Sequence, residues 1–255
     1  MANIQSPCLI LAAGNGRRIM PHSGGMPKPL VHLHGVPLLE HVLLGANEAG
    51  IRRFVIVVGY RGAAIQQWLA ARNLRDIEVT CVNNLDYQKD NGISVLRARD
   101  YLSEPFLLAM SDHIFEPTTA RAMIAQSFGE DQVILGVDSN IDRVFDLDDA
   151  TKVRRDGDHI VDIGKNLSDY DALDTGMFYC RPSLFDTLES AMTNGNCSLS
   201  DGMRKLSERR LFRAFDIGDA HWQDVDTPDA LAYAEATFRR DFDRTPVAGM
   251  LTRAA

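Results

Sequence analysis

Residues 9–30 read LILAAGNGRRIMPHSGGMPKPL, and the order of residue types in this stretch decides how the remaining chain is read. Leu9 to Ala13 is a short apolar run of the length of a buried strand. It leads directly into Gly14, Asn15 and Gly16, so the chain turns tightly where a strand ends. Glycine lacks a Cβ, so the backbone there can take positive φ and bring its N–H groups close to an anion. Arg18 follows, and Pro27-Lys28 closes the stretch. Backbone donors, a forked guanidinium and a compact ammonium are the parts that hold a triphosphate. Two familiar phosphate cradles do not fit. G-x-G-x-x-G fails at Ile19, where the third glycine belongs, and no lysine follows a glycine at the Walker spacing. The competing reading is a tight strand-to-helix turn carrying two surface cations.

The chain has 255 residues, of which 24% are charged and 45% hydrophobic, enough for one α/β domain with a sizeable core. A formal net charge of −8 argues against a general nucleic-acid binder, so the early cations are a local feature suited to a small anionic ligand. No long apolar run or basic-then-apolar leader pattern is present, which predicts a cytoplasmic protein without membrane insertion. Cys8, Cys81, Cys180 and Cys197 lie far apart without metal spacing, and core packing in a reducing compartment is their expected role.

The periodicity predicts strands at Leu9–Ala13, Phe54–Val58, Ile77–Val82, Leu107–Met110, Val133–Val137, Met177–Cys180 and 212–217. Helices are expected from Pro37 to Gly50, from Ala63 to Ala71, from Ser94 to Tyr101, and at 183–192, 200–208 and 228–241. Val31 to Gly35 reads as an extended piece and turn, with His32 and His34 on its wet face. Lys152–Arg154 and Ile160–Gly164 read as a hairpin across Asp156-Gly157-Asp158. The acidic run 138–151 is expected to be solvated loop. Alternating strands and helices indicate an α/β fold: a Rossmann-like, mostly parallel mixed sheet flanked by helices. One domain is expected over 1–240, nucleotide-binding in its first half and acceptor-binding in its second, with a tail at 241–255.

Ligands of open α/β sheets bind beyond the carboxyl ends of the strands. Asp112, in Met110-Ser111-Asp112-His113, falls there. Asp226, in Asp224-Val225-Asp226-Thr227-Pro228, falls just before a helix. Two distant aspartates meeting at one edge would suit Mg²⁺, which is commonly held by one or two carboxylates plus phosphate and water. Helix capping is the simpler role for Asp226, and Asp224 is either a helper to the site or a surface charge.

The string L-A-A-G-x-G-x-R followed by P-K-x-L resembles the signature of the sugar-phosphate nucleotidyltransferases, a GT-A-like fold. The family often has Thr or Ser where this chain has Arg17. Further motifs occur in order: Asn83-Asn84, Tyr87 to Val95, Ser111-Asp112-His113, Asp149 to Val153, Ile163 to Leu167, Tyr170 to Gly176, and Asp224-Val225-Asp226. Together they are most similar to the CTP:inositol-1-phosphate cytidylyltransferase family, from about Ile10 to Pro228. Ser111 replaces the family's usual Gly, and the membrane-embedded transferase often fused to this domain is not in the sequence. A separate downstream membrane transferase is therefore expected.

The resemblance implies roles by position. Asp112 and Asp226 would hold Mg²⁺, Arg18 the β- and γ-phosphates of CTP, and Lys28 would neutralise the transferring phosphate. Leu11, Ala12, Ala13, Gly14, Asn15, Gly16, Asn84, Asn91, Gly92 and Ser94 would surround the nucleotide. In that segment Gly92 would let the backbone approach it, and Ser94 would begin a helix. Lys165 would bind the acceptor phosphate, with His113, Asp174 and Gly176 in the acceptor pocket; read alone, Lys165 is a surface lysine. The implied reaction is cytidylyl transfer from CTP to inositol 1-phosphate, giving CDP-inositol and pyrophosphate. Phosphocholine, 2-aminoethylphosphonate or a sugar 1-phosphate are alternative acceptors, and a non-catalytic nucleotide-binding module is the alternative of another class. The oligomeric state stays open, a homodimer among the options.

Overall fold

In the computed structural model, residues 6–19, 23–72, 74 and 76–238 are described. The leading apolar run forms β1 (Cys8–Ala12), buried along its whole length. A small hairpin of β2 (His32–Leu33) and β3 (Val36–Pro37) follows, with His32 and His34 exposed on either side of buried Leu33. Then come α1 (Leu38–Glu48), β4 (Arg53–Val58), α2 (Gly62–Ala70), β5 (Glu78–Asn83), α3 (Asn91–Leu96), β6 (Phe106–Met110), β7 (His113–Phe115) and α4 (Pro117–Ile124). The second half comprises β8 (Val133–Asp138), β9 (Lys152–Asp156), β10 (His159–Gly164), β11 (Ala172–Cys180), α5 (Ser183–Ala191), α6 (Leu199–Glu208), β12 (Phe212–Asp216), β13 (Trp222–Asp224) and α7 (Pro228–Thr237).

A single nine-stranded sheet runs β5-β4-β1-β6-β11-β8-β12-β10-β9. The strands β5, β4, β1 and β6 are parallel, as is the β8–β12 pair. Strand β11 lies antiparallel between β6 and β8, and the β9–β10 hairpin closes the far side. The sheet is thus mixed, with its parallel character concentrated in the first half. Side chains alternate across it into two cores. Cys8, Ile10 and Ala12 pack with Leu39, Val42, Leu43 and Ala46 of α1 on one face. Leu9, Leu11 and Ala13 pack on the other with Ile93, Phe185, Leu188, Met203 and Leu206. Burial on both faces explains why β1 is continuously apolar rather than alternating. All four cysteines are free; Cys8, Cys180 and Cys197 are buried and Cys81 half-buried.

The structure moves one helix and adds three elements. The expected helix from Ser94 to Tyr101 instead starts at Asn91, ends at Leu96 and is followed by a 3-10 turn at Arg99–Tyr101. Its start is set by packing: the Asn91 Oδ1 accepts the Leu199 N–H at 2.8 Å, tying α3 to α6. Strands β7 and β13 and helix α4 are the additions; the strands span three residues each, too few to show alternation. Their antiparallel pairing aligns Asp224 with His113. The Val225 N–H also donates to the Asp112 carbonyl at 3.0 Å. That pairing brings the two halves of the aspartate set together. No described helix is long and apolar enough to cross a membrane. The expected tail, 241–255, and the end of the last expected helix beyond Phe238 lie outside the described residues.

Candidate active site

A cleft of about 490 Å³ opens at the carboxyl ends of β1 and β6, within the size range of small-molecule sites. Leu11, Ala13, Gly14, Asn15, Gly16, Arg18, Lys28, Asn91, Ser94, Asp112, His113, Lys165, Asp174, Gly176 and Asp226 all line it. Three expected members do not. Ala12 points into the core under α1, because alternate residues of β1 face opposite sides of the sheet. Asn84 is buried behind the wall, donating its amide to the Ser94 hydroxyl at 3.0 Å and accepting the Asp86 N–H at 2.9 Å. Gly92 lies tight against the protein itself: a Cβ there would lie 2.6 Å from the Cys197 carbonyl oxygen. Ser94 sits inside α3, not at its start.

Lys28 lies in a 3-10 turn set up by Pro27, whose φ of −64° suits entry into a helical turn. Its side chain is only 7% exposed, and its ammonium contacts the carboxylates of Asp112 and Asp226, with Asp224 Oδ1 at 3.6 Å. A buried ammonium of this kind needs compensating carboxylates. Arg18 forks between Asp226 and Asp149, reaching the latter at 2.6 Å. Lys165, on the turn after β10, reaches the other oxygen of Asp149 at 2.7 Å. It is therefore no isolated surface lysine.

His113 is held by Trp222, Gly176 and the aspartates, with its remaining side on the cleft. Trp222 lies parallel to its ring, 10° between planes and 6.0 Å between centroids. A Cβ on Gly176, whose φ is +74°, would come within 2.3 Å of the imidazole. Gly176 occupies the register shift in β11 and its N–H donates to the Asp174 carboxylate at 2.7 Å. The His113 Nδ1 meets Asp112 Oδ1 at 3.1 Å and Asp224 Oδ1 at 3.9 Å. Burial alone would lower the imidazole pKa, but Asp224 and Asp112 outweigh it and push the pKa up to about 9. Burial would likewise raise Asp112, yet Lys28 and His113 hold its carboxyl well below the usual carboxylate range. Asp174 goes the other way: burial pushes it up to about 6, and the Gly176 N–H offsets only part of that.

The acidic run 138–151 is not the solvated loop its composition suggests. Asp138 is 1% exposed. It accepts the Trp222 indole N–H at 2.9 Å and the Asn140 N–H at 2.8 Å, and it pairs with Arg143 at 3.2 Å. Asp149 points into the cleft. Sequence reasoning also missed Trp222, Met203 and Ser200; the last two line the cleft from α6. The signal available for Asp149 was its place in the Asp149-to-Val153 motif, which composition overrode.

The aspartate set fits a divalent cation. Asp224 is no surface charge: its Oδ1 is buried without a hydrogen-bond partner. It belongs to both groups whose ligand atoms lie within 4.8 Å of one another, Asp112 with His113 and Asp224, and Asp149 with Asp224 and Asp226. Oxygen donors of this kind suit Mg²⁺.

Comparison with known proteins agrees with this fold. The chain is 37% identical over 229 residues to the "Bifunctional IPC transferase and DIPP synthase" of Rubrobacter xylanophilus, covering 89% of this chain and 50% of that one. It is 33% identical over 179 residues to the 2-aminoethylphosphonate cytidylyltransferase of Lancefieldella rimae, covering 67% of this chain and 65% of that one. The inositol-1-phosphate CTP transferase of T. maritima superposes with a TM-score of 0.81 at 27% identity, over 93% of this chain and 97% of that one. The chain spans about half the length of the bifunctional relatives it matches. Residues 8–210 match the MobA-like NTP transferase domain, and the chain belongs to that family of nucleotidyltransferases.

Proposed function

We propose that this enzyme transfers CMP from CTP to inositol 1-phosphate, forming CDP-inositol and pyrophosphate. The observation that carries the reading is the buried Lys28 ammonium among Asp112, Asp224 and Asp226 at the mouth of the glycine loop. The likeness to the T. maritima transferase over nearly both whole chains supports the choice of nucleotide and acceptor. An anionic acceptor must attack an anionic α-phosphate, so the protein's task is to position two like charges and neutralise them. Arg18 binds the leaving β- and γ-phosphates, and Lys28 stabilises charge on the phosphate in transfer. Lys165 holds the acceptor phosphate, while His113, Asp174 and Gly176 shape the acceptor pocket. No general base is required, because a phosphate monoester oxygen is already ionised near neutral pH. Asp112 and Asp226, joined by Asp224, would hold Mg²⁺, which when bound offsets polyphosphate charge.

A second acceptor reading has its own support. The relative from Lancefieldella rimae is a 2-aminoethylphosphonate cytidylyltransferase, and Asp146, Asp149 and Asp174 would suit an ammonium-bearing acceptor. Pyrophosphate release with CTP, UTP, dTTP or ATP against inositol 1-phosphate, 2-aminoethylphosphonate, phosphocholine and glucose 1-phosphate separates these readings. The highest kcat/KM is expected for CTP with inositol 1-phosphate. Preference for 2-aminoethylphosphonate would replace the acceptor, and release with no pair would leave a nucleotide-binding module.

A further inference from the structure

Arg18 and Lys165 come from distant parts of the sequence, yet both reach one carboxylate, Arg18 holding Asp226 as well. Asp149 Oδ2 accepts from Arg18 at 2.6 Å and Oδ1 accepts from Lys165 at 2.7 Å. The surrounding backbone keeps that carboxylate in place. The buried Lys152 ammonium donates to the Asp148 carbonyl at 3.0 Å. The Asp149 N–H bonds the Asp146 carbonyl at 3.1 Å, and the Thr151 carbonyl accepts the Asp174 N–H at 2.9 Å. Asp146 itself adopts φ +58°, a left-handed conformation that aspartate tolerates better than most residues. The chain is therefore pinned on both sides of Asp149.

A carboxylate bridging a guanidinium and an ammonium presents to each the negative charge and acceptor oxygens that its substrate phosphate would present, the nucleotide's to Arg18 and the acceptor's to Lys165. The Arg18 and Lys165 side chains are 48% and 53% exposed, so an incoming anion can reach both. Pairs this exposed are individually weak, and a multiply charged phosphate can displace the carboxylate from them.

We propose that Asp149 is a positioning residue that acts as an internal stand-in for substrate phosphate. It gathers Arg18 and Lys165 in the cleft before substrates arrive, and phosphates bind by displacing it. The arrangement lowers affinity for phosphate in exchange for preset cations, and it lets Asp149 recapture Arg18 as pyrophosphate departs. The proposal rests on the reading of Arg18 and Lys165 as phosphate-binding groups.

The test is calorimetric titration of pyrophosphate in EDTA, with no divalent cation, into the wild type, Asp149→Asn, Asp149→Ser, Arg18→Ala and the Asp149→Asn/Arg18→Ala double variant. Thermal melts select the Asp149 variant that retains the fold. That variant is expected to bind pyrophosphate about 3- to 30-fold more tightly than the wild type. Arg18→Ala should bind more weakly, and the gain should shrink in the double variant because the pair acts together. Unchanged or weaker binding by the folded Asp149 variant, with Arg18→Ala still impaired, overturns the inference and leaves the phosphate role of Arg18 standing. Unchanged binding by Arg18→Ala overturns both. Because no metal is present, loss of a metal ligand cannot produce the expected tightening.

Discussion

A β-carbon added to Gly16 would lie 2.6 Å from the Cβ of Lys28, so the glycine loop and the buried lysine pack together with no room for a side chain between them. Gly16 also takes φ +56°, a conformation costly for other residues. Gly16→Ala should therefore lower kcat at least about tenfold by displacing Lys28, while costing about 1–2 kcal/mol in stability. Melting curves and steady-state rates on one preparation check this. A variant equally unstable but fully active would show that the packing does not position the lysine.

Lys28→Ala is expected to cost about 10²-fold or more in kcat, the scale seen on removing a preorganised charge-stabilising group. The substitution also leaves Asp112, Asp224 and Asp226 without their shared ammonium. Pyrophosphate release at saturating substrates gives the answer, and full activity would remove Lys28 from the chemistry.

Part of this arrangement was legible before any coordinates. Strand β1 and the glycine loop announce themselves because a strand buried on both faces must be continuously apolar, and a tight turn after it must be small. Asp112 and Asp226 were readable from their places beside a strand end and before a helix-opening proline. The pairing that unites them was not. Three-residue strands such as β7 and β13 carry too little alternation to stand out, and what fixes them is the Val225 N–H on the Asp112 carbonyl, a contact across the chain. Gly92 shows the opposite failure: the resemblance implies close approach to the nucleotide, and the close approach in the structure is to the Cys197 carbonyl. Composition misled at Asp138 and Asp149, since an acidic run looks solvated until Arg143, Trp222, Arg18 and Lys165 are seen to face it.

Lys165→Ala should raise the acceptor KM about 10- to 100-fold and leave that for CTP within a few-fold, as expected on losing a charge-assisted contact to one substrate. Initial rates with each substrate varied in turn measure the split. Equal effects on both would place Lys165 outside the acceptor pocket.

Asp174 gives a pH signature. Its carboxyl pKa is pushed up to about 6 in the fold, above the ordinary 3.8, so between those values the unfolded chain has lost a proton that the folded one keeps. Stability contributed by this group therefore falls as pH rises through that window. Asp174→Asn retains an acceptor for the Gly176 N–H but lacks the titration. Relative to the wild type, its Tm should rise between pH 4 and pH 7. A difference independent of pH would contradict the burial argument.

Asp226→Ala should lose turnover together with any response to added Mg²⁺, and EDTA should silence the wild type. Rates measured across a Mg²⁺ titration test both; an enzyme fully active in EDTA would refute the metal-holding role of the aspartates.

The most direct measurement is the identity of the product. Incubation with CTP and inositol 1-phosphate, followed by phosphorus NMR and mass analysis, should reveal pyrophosphate and an equal amount of a CMP–inositol phosphate anhydride, both formed at least about 10²-fold more slowly by Lys28→Ala. Recovery of both substrates unchanged under conditions where another nucleotide or another phosphate is consumed would contradict the account.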